Sequence, residues 1–238
     1  AILGGMFAVW NDHAGNGITV KDIHDRLFPA LQTLSAKCWT GAATSFSFEK
    51  FNRLRLALSE APAVNEAARW QKGKQLRIET LNPGQTTGEK EVGYGYRVEF
   101  TIEGADEPKG TVLFSSDNAT FYLADPESGQ LGFAHEGYLN KFNYRVEKGK
   151  KVTLAITGDN RKTCLYVDGK LREELGALTL YAMQLKDLAT FQKSDATAWQ
   201  PVVYNPSAKM YYQRTLVFPL QKAGDFKSRI TGVKVEQK

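Results

Sequence analysis

The chain has 238 residues, 42% hydrophobic and 24% charged, with a formal net charge of +5. This is the balance of a folded globular protein with room for one large domain or two modest ones. No apolar run approaches the roughly 20 residues a membrane helix needs. The Lys and Arg residues are interleaved with acids, as in GEKEVGYGYRVEF and KLREEL, which argues against a nucleic-acid surface.

The first segment, residues 1–62, reads as β-α-α. Ile2, Leu3, Met6, Phe7, Ala8 and Val9 form a nearly continuous apolar run, as expected of a strand buried on both faces of a parallel sheet. After the loop NDHAGNG, Thr19 and Asp22 can form a capping box. Ile23, Leu27, Ala30, Leu31, Leu34 and Cys38 then recur at helical spacing. Pro29 should kink or break that helix. A second helix is expected from about Ser47, with Phe48, Phe51, Leu54 and Leu58 inward, closing before Pro62.

Residues 63–238 read as antiparallel β. Tyr96, Val98, Phe100 and Ile102 alternate with Arg97, Glu99, Thr101 and Glu103, giving a core face and a solvent face. Short apolar runs follow at close intervals, separated by Gly, Asn, Asp and Pro, the rhythm of a sandwich or jelly roll. Asp168-Gly169 marks a hairpin turn, because a type I′ turn needs positive φ at both central positions. Residues 184–214 are less regular and are expected as long loops.

A lone strand and helix cannot bury enough apolar surface to offset their ordering entropy. Residues 1–40 therefore read as the last βα unit of a larger α/β domain. In a (β/α)₈ barrel the loop after each strand lies on the catalytic face, which would set Trp10 and Asp12 beside substrate.

GGMFAVWND, followed by Arg26-Leu27-Phe28-Pro29 and Lys37-Cys38-Trp39, resembles the final barrel segment of glycoside hydrolase family 20, the β-N-acetylhexosaminidases. The likeness covers about a sixth of the chain. Two positions depart from the family pattern. Asp12 stands where Glu is more usual, and Ala30 where Arg is often found. The resemblance implies that Trp10 walls the pocket for an N-acetylhexosamine ring and that Asp12 accepts hydrogen bonds from its hydroxyls. The other reading makes Trp10 a core aromatic and Asp12 a loop acid or cap. The family's adjacent Asp-Glu pair orients the 2-acetamido group and protonates the leaving oxygen. That pair belongs to an earlier strand, so this chain is expected to hold no catalytic residue and to be inactive alone. Asp106-Glu107 sits in a Gly/Pro-containing turn rather than after a barrel strand.

NKFNYRVEKGKKVTLAITGDNRKTCLYVDGKLREEL and the closing SRITGVKVEQK resemble the laminin G-like, concanavalin-like sandwich. Such sandwiches serve as lectins, hydrolases and spacers. The alternating acids of the hydrolase version do not occur. The lectin version would stack sugar on aromatics, and Trp199, Tyr204, Tyr211 and Tyr212 are the candidates, with anchoring of loops into the core as the other reading. Asp117, Asn118 and Asp125 are weak calcium candidates, and no metal site or cofactor is assigned. His13, His24 and His135 are expected at the surface or with satisfied partners. Asn118-Ala119-Thr120 matches a glycosylation acceptor, a pattern that also arises by chance. Cys38 and Cys164 supply neither a disulfide framework nor a paired-cysteine zinc site. They are expected as free thiols packed like small apolar residues, with one bridge as the alternative.

The whole reads as the C-terminal portion of a β-N-acetylhexosaminidase-like enzyme. Its sandwich is either a carbohydrate-binding module or a structural support for the barrel. The expected partners are N-acetylhexosamine-containing glycans and the upstream barrel of the same parent chain, with no nucleic acid and no membrane span. The implied location is secreted, periplasmic or at the cell surface. AILGGMFAVW lacks the basic lead of a secretory signal, so any such signal is expected upstream of residue 1. Residues 1–62 are expected either to dock on the sandwich or to self-associate.

Overall fold

The computed structural model describes residues 4–9, 19–41, 47–58, 65, 68–71, 73–180 and 210–237, and at 56, 178–180 and 210–212 it describes the backbone alone. Two helices, α1 (Val20–Thr40) and α2 (Phe48–Ala57), come first. The strands are β1 (Gln75–Leu81), β2 (Glu91–Val92), β3 (Tyr96–Glu103), β4 (Thr111–Ser115) and β5 (Ala119–Ala124). They continue with β6 (Gly132–His135), β7 (Tyr138–Lys141), β8 (Lys151–Gly158), β9 (Thr163–Val167) and β10 (Lys170–Leu175). The last are β11 (Leu178–Leu180), β12 (Met210–Tyr212), β13 (Phe218–Pro219), β14 (Lys222–Ala223) and β15 (Arg229–Gln237).

One sheet has six strands in the order β1-β15-β3-β8-β9-β10 and the other has five in the order β14-β4-β5-β6-β7, with short pairs β13-β2 and β11-β12. All these pairings are antiparallel. The fold is therefore the mainly β jelly-roll sandwich that the alternation predicted. The closing strand β15 lies inside its sheet, between β1 and β3.

On β3, Tyr96, Val98, Phe100 and Ile102 are buried while Arg97, Glu99 and Thr101 face outward, half-buried. The five-stranded sheet answers with Phe114, Phe121 and Phe133, all fully buried. Phe218 sits between the layers, its ring 5.0 Å from Phe121, 5.7 Å from Tyr96 and 6.2 Å from Phe114. Fully burying one such ring contributes about 1.5–3 kcal/mol, and tilted ring pairs at these separations add about 0.5–1.5 kcal/mol each.

The turn between β9 and β10 forms at Asp168 (φ 47°) and Gly169 (φ 77°), closed by the Val167–Lys170 pair. Asp168 also ties the turn to β8. Its N–H donates to the Thr153 carbonyl at 2.8 Å, and its carboxylate accepts from the Thr153 N–H at 2.9 Å.

The N-terminal segment departs from expectation in four ways. Residues 4–9 form no strand, and Met6 is 95% exposed. A parallel strand needs neighbours for its N–H and C=O groups, and water satisfies them where no neighbouring strand is offered. Secondly, α1 runs unbroken through Pro29. Thirdly, its apolar stripe is not a core face, for the one buried residue of α1 is Asp22. Finally, α2 begins at its Ser47 cap as predicted, but Phe48, Leu54 and Leu58 are exposed rather than inward. Without a packing partner the 3.6-residue periodicity is preserved and the burial is not.

Gly169→Ala places a β-carbon in the left-handed region. It should lower the unfolding free energy by about 1–2 kcal/mol in a denaturant titration. An unchanged midpoint would contradict the turn assignment.

Candidate functional site

Of the residues singled out in the sequence, Trp10, Asp12, Trp199 and Tyr204 lie outside the described residues, as do His13 and the apolar Ile2 and Leu3. Tyr211 and Tyr212 belong to β12, where they pair with Thr179 and Leu178 of β11. Helix α1 follows Trp10 and Asp12 in the chain, and its first turn meets the sandwich.

Thr19 and Asp22 form the predicted capping box. Asp22 Oδ2 accepts from the Thr19 N–H (2.8 Å) and hydroxyl (2.7 Å), while the Asp22 N–H donates to Thr19 Oγ1 (3.1 Å). The other oxygen, Oδ1, turns into the sandwich, where it accepts from the Tyr94 hydroxyl at 2.5 Å and the Thr215 hydroxyl at 3.0 Å. Asp22 is 0% exposed. Burial, and after it the Asp22 carboxylate, holds the Tyr94 phenol well above its ordinary pKa, so Tyr94 remains a hydrogen-bond donor across the working pH range.

Two ion pairs accompany this bond. Lys21 meets Glu91 of β2 at 2.5 Å, and the Asn118 amide donates to the same carboxylate at 3.2 Å. Asp25, one turn further along α1, pairs with Arg69. The segment carrying Arg69 is fixed in turn, as the Trp70 indole donates to the Glu91 carbonyl at 3.0 Å. The start of α1 is thus docked on the sandwich through polar contacts.

Beside the first turn of α1 lies a cleft of about 220 Å³, walled by Val20, Ala119 and Val217 and edged by Lys21, Asn118 and Thr215. His135, at the end of β6, also lines it. The sequence reading placed His135 at the surface or with a partner, and the structure corrects this. The residue is 4% exposed, and neither ring nitrogen has a hydrogen-bond partner among the described residues. It stacks on Phe133 at 5.9 Å. The strand period carries the missed signal, since Phe133 and His135 are two apart and so share the inner face. Burial lowers the pKa of His135, opposed by the charge of Asp22, and the imidazole is neutral. An orphaned buried polar atom costs about 1–3 kcal/mol, so this ring stands out in the fold. The next residue, Glu136, takes φ 47° in the β6–β7 turn, a backbone region that disfavours glutamate.

Two other acidic candidates, Asp125 and Glu107, have structural partners. Asp125 lies in a turn where burial raises its pKa and hydrogen bonds from Ser128, Gln130 and Glu127 lower it, the net shift being downward. Both its oxygens are used there. Glu107 Oε1 accepts from the Lys227 and Ser228 N–H groups at 2.9 and 2.7 Å, which makes it a clasp between loops. Among the described residues no group of three or more His, Cys, Asp or Glu side chains could hold a metal ion. His24 makes an edge contact with Phe28. Both cysteines are free thiols, and Cys164 is buried as expected, whereas Cys38 is exposed because the helix face that carries it is uncovered. No described helix is long and apolar enough to cross a membrane.

No protein-family model matches the chain, and no curated protein matches it in sequence. Similar solved structures include a galectin from Caenorhabditis elegans, at 9% identity and a TM-score of 0.38, covering 67% of this chain and 95% of that one. Domain 4 of a GH43 extracellular arabinanase from Geobacillus stearothermophilus matches at 12% identity and a TM-score of 0.32, over 68% of this chain and 65% of that one. A sialidase from Trypanosoma rangeli gives 14% and 0.33, over 72% of this chain and 26% of that one. This chain thus spans about a quarter of the sialidase. None of these overlaps is high enough to lend the chain a function.

Tyr94→Phe removes a hydrogen bond to a buried carboxylate and should destabilise the fold by about 1.5–3 kcal/mol. Thermal or denaturant unfolding that matches the parent would contradict the role given to Asp22.

His135 adds a pH dependence whose sign follows from its lowered pKa. Above the ordinary value of 6.5 both folded and unfolded chains hold it neutral. As pH falls below that value the unfolded chain takes up the proton first, and stability is lost until the folded pKa is passed. With Asp22, Lys21 and Glu136 as the charged groups near the ring, the change is therefore an acid-side loss. His135→Phe should flatten that stretch of the stability curve, and an unaltered curve would contradict the burial.

Proposed function

We propose that this chain is the C-terminal portion of a β-N-acetylhexosaminidase-like glycoside hydrolase, ending in an accessory sandwich that is fastened to the last βα unit and binds glycan. The observation that carries this reading is the buried Asp22. The helix bearing it follows Trp10 and Asp12 in the chain, and its carboxylate is held by Tyr94 and Thr215 of the sandwich. Such a joint would keep the sandwich in register with a pocket formed by the barrel face. A sugar held by the sandwich would then raise the local concentration of substrate at that pocket.

In the parent enzyme, Trp10 would wall the sugar ring and Asp12 would accept from its hydroxyls, as the family resemblance implies. Neither residue can supply the proton transfer or the amide orientation that the reaction needs. The exposed Met6, Trp39, Phe48 and Leu58 would be covered by the upstream barrel. A secreted, periplasmic or cell-surface location follows from the same proposal, because the glycan substrates are found there.

The purified chain should release no N-acetylglucosamine from an aryl glycoside and should bind N-acetylglucosamine oligomers saturably by calorimetry. Sustained release, or a flat titration, would contradict the proposal.

A further inference from the structure

We propose that a second cleft, where the β3–β4, β5–β6 and β7–β8 loops meet at one end of the sandwich, binds the carboxylate of an acidic sugar through Lys109 and Arg145. This rests on the glycan-binding reading above and gives its ligand a charge. The Lys109 ammonium donates to the Glu127 carbonyl at 2.6 Å, and Arg145 Nη2 donates to the Ser128 carbonyl at 2.5 Å. Two cations are thus anchored on successive carbonyls of one turn. Gly129, at φ 74°, lets them close over that turn, since a β-carbon there would stand 3.3 Å from Arg145 Nη2 and 3.5 Å from Lys109 Cγ. Both side chains are exposed, and neither has a carboxylate partner among the described residues. The Glu127 carboxylate goes instead to Lys141, at 3.6 Å. Like charges held side by side repel, and the planar fork of a guanidinium matches a carboxylate.

The surroundings select the class of ligand. The cleft holds about 340 Å³, and Lys148 lines it together with Lys109, Arg145 and the apolar Leu123, Ala124 and Val146. Three acids line it as well. Glu107 is occupied, because Oε1 accepts from the Lys227 N–H and from the N–H and hydroxyl of Ser228, and Oε2 is closed to solvent. Glu147 pairs with Lys150 at 2.6 Å. Asp106 keeps an exposed carboxylate without a partner among the described residues, set against three cations. A small inorganic anion would fill only part of this volume, since pockets for small organic ligands begin at about 300 Å³. A neutral sugar would leave Lys109 and Arg145 uncompensated. A sugar acid answers both conditions. Its carboxylate would meet the two cations, its C–H face would lie against Leu123, Ala124 and Val146, and its hydroxyls, which both donate and accept, suit Asp106 and Lys148.

The test is calorimetry on the full chain with two probes, a tetrasaccharide alternating glucuronate with N-acetylglucosamine and the neutral tetramer of N-acetylglucosamine. The acidic probe should bind more tightly, and raising the salt to about 0.5 M should weaken it far more than the neutral one. Arg145→Gln keeps an amide donor for the Ser128 carbonyl and removes the charge. It should weaken the acidic probe about tenfold or more, the scale of one lost charged hydrogen bond, with an unchanged unfolding midpoint and unchanged binding of the neutral probe. Lys148→Ala, which breaks no contact among the described residues, should weaken the acidic probe by a smaller factor. Equal binding of the two probes, or an acidic probe indifferent to Arg145→Gln, would overturn the proposal and leave the glycan-binding reading in place. A tetrapeptide of glutamate that binds as tightly as the acidic saccharide would overturn the choice of a sugar. No binding of either saccharide would overturn the glycan-binding reading as well.

Discussion

A carboxylate removed from water is tolerated only when its lone pairs are met by donors. Asp22 is such a group, and its two oxygens divide their bonds between two parts of the fold. One oxygen closes the cap of α1 and the other reaches Tyr94 and Thr215. The start of the helix and its attachment to the sandwich are therefore set by one side chain. Loss of either set of donors would leave a buried charge short of partners, which disfavours any arrangement in which the helix swings away.

That bond carries unusual weight because apolar packing contributes little at this junction. No apolar residue of α1 is fully buried, and the helix contains Pro29. Most helical stability in proteins comes from packing of an apolar face rather than from propensity, and an interior proline costs a helix roughly 3 kcal/mol more than alanine would. Directional contacts, chiefly Asp22 with Tyr94, Lys21 with Glu91 and Asp25 with Arg69, do what a buried stripe does elsewhere. They fix orientation well and contribute modest free energy. The apolar face left open is consistent with the proposal that a larger α/β domain covers it.

Much of the sandwich was legible in the sequence because its signals are local. The alternation on β3 and the Asp168-Gly169 turn state their geometry within a few residues, and α1 begins at its own capping box. The N-terminal segment misled because apolar periodicity reports what a segment can bury and says nothing of whether a partner is present. Met6 and Phe48 have the right spacing and remain in water. The junction was illegible for another reason. Asp22 pairs with Tyr94 and Thr215, far along the chain, and no local pattern announces such a contact. His135 falls between these cases, for its parity with Phe133 places it inward, while its lack of a partner emerges only in three dimensions.

The central claim is that the bond at Asp22 makes α1 and the sandwich one cooperative unit. Native-state hydrogen exchange on the chain tests it most directly, by comparing amides in the first turns of α1, from Ile23 onward, with those of β3. If the joint holds, the helix amides open only in the unfolding event that releases the core strand, and both sets report the same opening free energy. Helix amides that exchange by fraying, as those of an isolated peptide would, would show that α1 rests on the sandwich without being fastened to it.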